Sequence, residues 1–361
     1  MTFERPNIHQ MAGYTPGEQP TGSDVVKLNT NENPYPPSPQ VEACLRSLQT
    51  QSLRRYPPPL ASSFREAAAK LHNLDPENII PTNGGDELLR LIMTTFVSPK
   101  DVVAVTKPSY SLYPVLADIQ DSALVEIPLT ENWAMPSNFA AELNNCKAKL
   151  AIIVNPHAPT GSLLDCDYLA SIASQFEGIL LVDEAYVDFI DPKHEHDSLK
   201  LIEQHDNILF LRTLSKGYSL AGLRFGYGVG PQQLVAPMMY KTRDSYNTDY
   251  ISQKLATAAI SSQDYANSTW ARVRNSRDGL AQELRELGIN SPPSHANFLL
   301  CEIPATPGAT ALYEILKAEN ILVRYFDQDR LRNKLRISIG TADENQQLLD
   351  VIKKAMLTAD S

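Results

Sequence analysis

The sequence predicts an α/β protein: a mostly parallel sheet buried between helices, followed by a second, smaller α/β domain. Three observations carry this. Short apolar, β-branched runs recur through the middle of the chain, longer segments with helical spacing separate most of them, and the pattern changes after about residue 250. Strands that are apolar throughout, without polar alternation, are buried on both faces, as in parallel sheets.

In chain order, the first ~35 residues are rich in Gly, Pro and Asn and keep no period, so residues 1–35 read as an extended arm. Arg54-Arg55-Tyr56-Pro57-Pro58-Pro59 cannot be helix interior and belongs on a surface. Apolar runs then appear at Val102–Thr106, Leu124–Ile127, Leu150–Val154, Ile179–Val182, Ile208–Leu211 and Phe225–Val229. Leu88, Leu91, Ile92 and Phe96 share one face of a helix between such runs. These elements define a large domain over 36–250. A polar-faced helix from Asp249 to Leu287, broken near Ser261-Ser262, leads into a small domain over 251–361. There the expected elements are strand Asn297–Ile303, helix Ala309–Glu319, strands Ile321–Tyr325 and Leu335–Ile339, and a final helix from Asp343.

The chain has 361 residues, and 32 Lys+Arg against 42 Asp+Glu give a net charge of −10. At 43% hydrophobic and 20% charged residues it suits a folded globular protein. The acidic balance argues against gripping nucleic acid or anionic lipid, yet leaves room for a local basic pocket holding a small anion. No apolar run approaches the ~20 residues of a membrane span. Met1-Thr-Phe-Glu-Arg-Pro carries no apolar signal core, and Cys44, Cys146, Cys166 and Cys301 form no C-x-x-C pair. The expectation is a cytoplasmic protein with reduced thiols and no metal site.

Ligands of open parallel sheets sit at the carboxyl ends of the strands. Ile79-Ile-Pro-Thr-Asn-Gly84-Gly85-Asp86-Glu87 reads as a strand, a glycine pair and a helix start. That is either a phosphate cradle or an ordinary strand-to-helix turn. Gly178-Ile-Leu-Leu-Val-Asp183-Glu184-Ala-Tyr186 ends a buried strand in a carboxylate, which needs a partner such as a protonated ring nitrogen or a helix cap. Leu211-Arg-Thr-Leu-Ser215-Lys216 with Ala221-Gly-Leu-Arg224 sets hydroxyls, a lysine and an arginine among small residues. A lysine whose pKa falls on burial can form a Schiff base with a carbonyl cofactor.

Asp183-Glu-Ala-Tyr186, Thr-Leu-Ser215-Lys216 and Ala-Gly-Leu-Arg224 together resemble the fold-type-I pyridoxal-phosphate aminotransferases of class II. The closer resemblance is to their histidinol-phosphate aminotransferase group. The arm Leu28-Asn-Thr-Asn-Glu32-Asn-Pro-Tyr35, Arg55-Tyr56-Pro57, Gly84-Gly-Asp-Glu87, Pro108-Ser-Tyr110 and Leu335-Arg336-Ile-Ser-Ile-Gly-Thr341 also match, in order, from about Tyr14 to Thr341.

The resemblance implies a seven-stranded, mostly parallel sheet and a complete cofactor site. Lys216 would hold pyridoxal phosphate, Asp183 would pair with the ring nitrogen, Tyr186 would bond the ring hydroxyl and Tyr110 would stack on the ring. Gly85 and Asp86, through backbone N–H groups, would hold the phosphate with Ser215 and Arg224. Tyr56 would reach the phosphate of a neighbouring subunit, implying a homodimer with composite sites. Arg336 would take the carboxylate of glutamate or 2-oxoglutarate, and Arg324 with Tyr14 the phosphate of histidinol phosphate. An ion pair of Arg324 with Asp327 or Asp329 is the alternative.

One loop departs from the family's Asn-Pro-Asn-Asn-Pro-Thr-Gly. This chain has Asn155-Pro-His157-Ala158-Pro159-Thr160-Gly161, so Ala158 cannot supply the amide that reaches the ring hydroxyl. Either Tyr186 acts there alone or His157 helps. His194-Glu-His196 is expected to be a solvated loop. The implied reaction is amino transfer between small-molecule amines and 2-oxo acids in histidine biosynthesis. A threonine-phosphate decarboxylase, a broad aromatic aminotransferase and a non-catalytic cofactor-binding protein are the rival readings.

Overall fold

A computed structural model describes residues 2–20, 22 and 24–359. Its strands in chain order are β1 (Val26–Lys27), β2 (Ile79–Thr82), β3 (Val102–Lys107), β4 (Ala123–Pro128), β5 (Ala148–Val154), β6 (Ile179–Asp183) and β7 (Ile208–Thr213). There follow β8 (Gly226–Val229), β9 (Phe298–Glu302), β10 (Ile321–Leu322), β11 (Arg324–Tyr325) and β12 (Lys334–Ser338). A seven-stranded sheet has the order β2-β8-β7-β6-β5-β3-β4. Pairing is parallel from β7 across to β4, and β8 alone runs against both its neighbours.

The uninterrupted apolar strands have the expected cause. Leu150, Ile152 and Val154 of β5 enter one hydrophobic cluster, while Ala151 and Ile153 enter the cluster on the opposite face. Side chains alternate across a strand, so burial of both faces requires an apolar residue at every position. The helix Gly84–Phe96 lays Leu88, Leu91 and Ile92 onto the first face.

The C-terminal part carries a three-stranded antiparallel sheet, β11-β12-β9. The long helical segment is two helices, Tyr250–Ile260 and Gln263–Glu286. Ser262 stands in the break, its Oγ donating to the Ala258 carbonyl at 2.7 Å.

Two expectations change. The strand expected over Ile321–Tyr325 is two strands, because β10 pairs in parallel with β1 of the arm while β11 pairs with β12. The arm is therefore not merely extended: β1 docks on β10, and a short helix, Pro6–Gln10, sits where Asn7 Nδ2 donates to the Asp118 carbonyl at 2.7 Å.

Candidate active site

The carboxyl ends of β2, β6 and β7 point to one side of the large sheet, where the arm and β12 close a cavity of about 740 Å³. Lys216, Asp183, Tyr186, Tyr110, Gly85, Asp86, Ser215, Arg224, Arg324, Arg336 and Tyr14 all line it. Its charged lining residues are four cations and three carboxylates (Glu32, Asp86 and Asp183), a basic pocket in an acidic protein.

Asp183 is the last residue of β6 and is 5% exposed. Its Oδ2 accepts from Tyr113 Oη at 2.7 Å and its Oδ1 from the Ala185 N–H at 3.1 Å. Desolvation outweighs these two donors and pushes the carboxyl up to about 6. A cationic N–H donor is the partner such a group lacks.

Lys216 lies just beyond β7, and its Nζ donates to the Thr30 carbonyl at 2.7 Å. Burial, then the nearby Arg336 charge, hold its amine down to about 8. Below that value the ammonium is protonated and inert; above it the amine is a nucleophile. Reductive methylation of the cofactor-free protein is therefore expected to label Lys216 with a midpoint near pH 8. A midpoint near the ordinary 10.5 for Lys216 would contradict this environment.

At the β2 end, Gly84 takes φ +76°, and a Cβ there would stand 2.7 Å from Arg224 Nη2. Only glycine fits both the backbone and the approach of the guanidinium. The following N–H groups of Gly85 and Asp86 open the helix Gly84–Phe96, where backbone donors have no intrahelical partner. Arg224, itself at φ 57°, donates to Ser215 Oγ at 3.3 Å and approaches Asp86 Oδ2 at 3.4 Å.

Arg336 projects from β12 between Phe298 and Phe326, with ring centroids 5.4 and 5.5 Å from its guanidinium carbon. One Nη2 bond to the Asn29 carbonyl at 3.0 Å is recorded, and its buried Nε has no partner among the described residues. A buried guanidinium with an idle donor is suited to a planar carboxylate. Arg324 lies near the Phe326 ring at 5.4 Å and Asp327 pairs with Arg332 at 2.8 Å; among the described residues Arg324 forms no ion pair with Asp327 or Asp329. Tyr14 meets Tyr110 edge-on at 5.8 Å.

Tyr56 is not brought to this cavity. It is 79% exposed and stacks on Tyr246, with ring centroids 4.4 Å apart.

Two histidine expectations are settled by geometry. His157 is buried, with Nδ1 2.8 Å from Thr160 Oγ1 and Nε2 3.0 Å from the Pro108 carbonyl. Both ring nitrogens are engaged, one inside the loop and one at Pro108, burial holds the imidazole down to about 4, and His157 does not line the cavity. His196 is a correction, because it is not solvated. Its side chain is 4% exposed, 3.5 Å from Glu184 Oε1 and 3.6 Å from Cys166 Sγ. The buried Glu184 also takes Arg212 at 2.7 Å, and this anion draws His196 inward while His194 and Glu195 stay exposed as expected.

The family description "Aminotransferase class I and II" matches residues 23–352. This chain belongs to the class I and II aminotransferases. The aminotransferase chain is 43% identical over 352 residues to histidinol-phosphate aminotransferase 1 of Trichormus variabilis, covering 97% of this chain and 98% of that one. It is 41% identical to the histidinol-phosphate aminotransferase of Microcystis aeruginosa, at 97% and 98% coverage. A solved histidinol-phosphate aminotransferase from Sinorhizobium meliloti, in complex with pyridoxal-5'-phosphate, gives a TM-score of 0.91 at 23% identity. It covers 99% of this chain and 98% of that one, and at this identity it establishes the fold: the aminotransferase chain has the fold-type-I architecture.

Sequence reading missed three site residues. Tyr113, Thr30 and Asn31 touch Asp183, Lys216 and Tyr186 respectively. Tyr113 could have been found from its place one helical turn after Tyr110. Thr30 acts through its backbone, which no residue pattern reveals.

Proposed function

We propose that this chain is a pyridoxal-phosphate-dependent aminotransferase moving an amino group between histidinol phosphate and 2-oxoglutarate in histidine biosynthesis. The observation that carries the reading is one cavity holding an amine near 8, a buried carboxylate near 6 and an arginine with an idle Nε. Full-length similarity to relatives named for histidinol phosphate supports the substrate.

When bound, the cofactor supplies an aldehyde for amines and a ring that takes up the electron pair left at the substrate α-carbon. Lys216 is the residue to hold it through Nζ. Freed by an incoming amine, that Nζ would take the proton from the substrate α-carbon and hand it back, acting as general base and then as general acid. Asp183 holds the ring nitrogen protonated, since a carboxylate raised by burial gains from a cationic donor. Tyr186 donates to the ring hydroxyl and Tyr110 covers the ring face. Ser215, Arg224 and the N–H groups of Gly85 and Asp86 receive the phosphate. Arg336 binds the carboxylate of glutamate or 2-oxoglutarate, and Arg324 with Tyr14 the phosphate of histidinol phosphate.

The test is conversion of the bound cofactor to its amine form on addition of histidinol phosphate, threonine phosphate, phenylalanine or glutamate. Histidinol phosphate and glutamate are expected to react fastest. Carbon dioxide release from threonine phosphate, or equal reaction with phenylalanine, would favour the rival activities.

The working form in this proposal is a homodimer with composite sites, supported by the exposed aromatics Tyr56, Tyr240 and Tyr246. Tyr56→Phe is expected to weaken cofactor binding about tenfold, the loss of one charge-assisted hydrogen bond, with the dimer intact by sedimentation. An active monomer would refute the composite site. The division into arm 1–35, large domain 36–250 and small domain 251–361 belongs to the same proposal. Among the described residues no helix is long and apolar enough to cross a membrane. A cytoplasmic setting is proposed from the biosynthetic role and the four free cysteines.

A further inference from the structure

We propose that Asn31 is a positioning residue that, in a cavity where Ala158 brings no amide to the cofactor's ring oxygen, sets the direction of the Tyr186 hydroxyl from the arm. Ala158 and Tyr186 face the same cavity, and with a methyl group at 158 the phenol of Tyr186 is the one of these two side chains that can donate to the ring oxygen. The direction of that phenol is set from the arm: Asn31 Nδ2 donates to Tyr186 Oη at 3.0 Å.

The network around Asn31 fixes which way this bond runs. Asn31 is 1% exposed and sits at φ 57°, a left-handed conformation that asparagine tolerates better than most residues. Its backbone N–H donates to Ser338 Oγ at 2.9 Å, and Ser338 Oγ lies 2.9 Å from Asn31 Oδ1. With one lone pair of the serine taken by that N–H, its single proton goes to Oδ1. The amide is thereby locked, with its NH2 group toward Tyr186. Tyr186 Oη must accept there, so its own proton is left to point into the cavity. Asn297 Nδ2 holds the Asn31 carbonyl at 2.9 Å and completes the clamp. Ser338 lies two residues beyond Arg336 on β12, so the strand that carries the carboxylate-binding arginine also orients the phenol.

This inference rests on the proposed cofactor role of Tyr186. A phenol donating to the cofactor's ring oxygen stabilises negative charge there and lowers the pH at which the bound cofactor's visible absorbance titrates. Asn31→Asp keeps the shape and the left-handed backbone but offers only acceptors, so it draws the Tyr186 proton out of the cavity. Asn31→Gly keeps the backbone and deletes the amide.

The experiment is the absorbance titration of the holoenzyme and of its variants, with Tyr186→Phe as the reference for complete loss of the donor. Asn31→Asp is expected to raise the midpoint by about one pH unit, a tenfold change in proton affinity, approaching Tyr186→Phe. Asn31→Gly is expected to shift it part of the way, and Ala158→Asn added to Asn31→Gly to return it toward wild type. Ser338→Ala, which unlocks the amide while keeping Asn31, serves if the Asn31 variants do not fold, and is expected to raise the midpoint less. Midpoints equal to wild type in the folded variants would overturn the inference. A wild-type protein in which borohydride fixes no cofactor on Lys216 would instead defeat the underlying reading.

Discussion

Replacing Lys216 by alanine is expected to lower amino transfer by about four orders of magnitude, the upper range for loss of a positioned proton-transfer group. The size follows from the lysine's two duties. Nζ both holds the cofactor and moves the α-proton, and among the cavity's lining residues it is the single primary amine. Burial beside Arg336 is what makes this amine usable near neutral pH, because it lowers the pH needed to free the nucleophile to about 8. Lys216→Arg is expected to fare no better, since a guanidinium stays protonated throughout the working range. The check is single-turnover absorbance, together with borohydride reduction and peptide mapping of the wild-type protein. An adduct on a different lysine, or alanine-variant activity within tenfold of wild type, would remove Lys216 from this role.

The second large effect concerns discrimination between the two half-reactions. Arg324→Ala is expected to lower efficiency with histidinol phosphate about a hundredfold, roughly 2–3 kcal/mol for a charge-assisted phosphate contact, while largely sparing glutamate. Arg336→Ala is expected to damage the glutamate half-reaction most. The geometry supports the split. Arg336 is held near Phe298 and Phe326 with a buried idle Nε, whereas Arg324 stands opposite it in the register on the partly exposed strand β11, near the Phe326 ring. Each half-reaction can be followed separately by the change in cofactor absorbance. Equal losses with both substrates in the Arg324 variant would argue against a phosphate-specific pocket.

Much of this was legible because parallel strands buried on both faces write themselves as apolar runs. Leu150–Val154 and Ile179–Val182 were readable for that reason, and so was the carboxylate of Asp183 at a strand end. The residues brought into the cavity by β2, β6, β7 and β12 were legible through local motifs and the resemblance they carry. What the residue order could not display were contacts without a local signature. Thr30 acts through a carbonyl, and Asn31 reaches Tyr186 from an arm whose motif matches the family but whose residue order carries no sign of that contact. His196 looked solvated because its neighbours are charged, and only the fold reveals Glu184 and Arg212 beneath it. Likewise Ile321–Tyr325 reads as one unbroken strand, and its division between two sheets depends on β1, almost three hundred residues earlier.

The sheet order has a consequence for how the molecule comes into being. The edge strand β2 joins the sheet only through β8, and Arg224 meets Asp86 across 138 residues of chain. Asn31 meets Ser338 across 307. At about 5–20 residues per second of synthesis, Ser338 follows Asn31 out of the ribosome by some tens of seconds. Until residue 224 is made the phosphate cradle has half its donors, and until β12 is made the nascent arm lacks that strand to dock on. The binding cavity thus waits on contacts between distant segments of the chain, and it cannot close before β12 has been made.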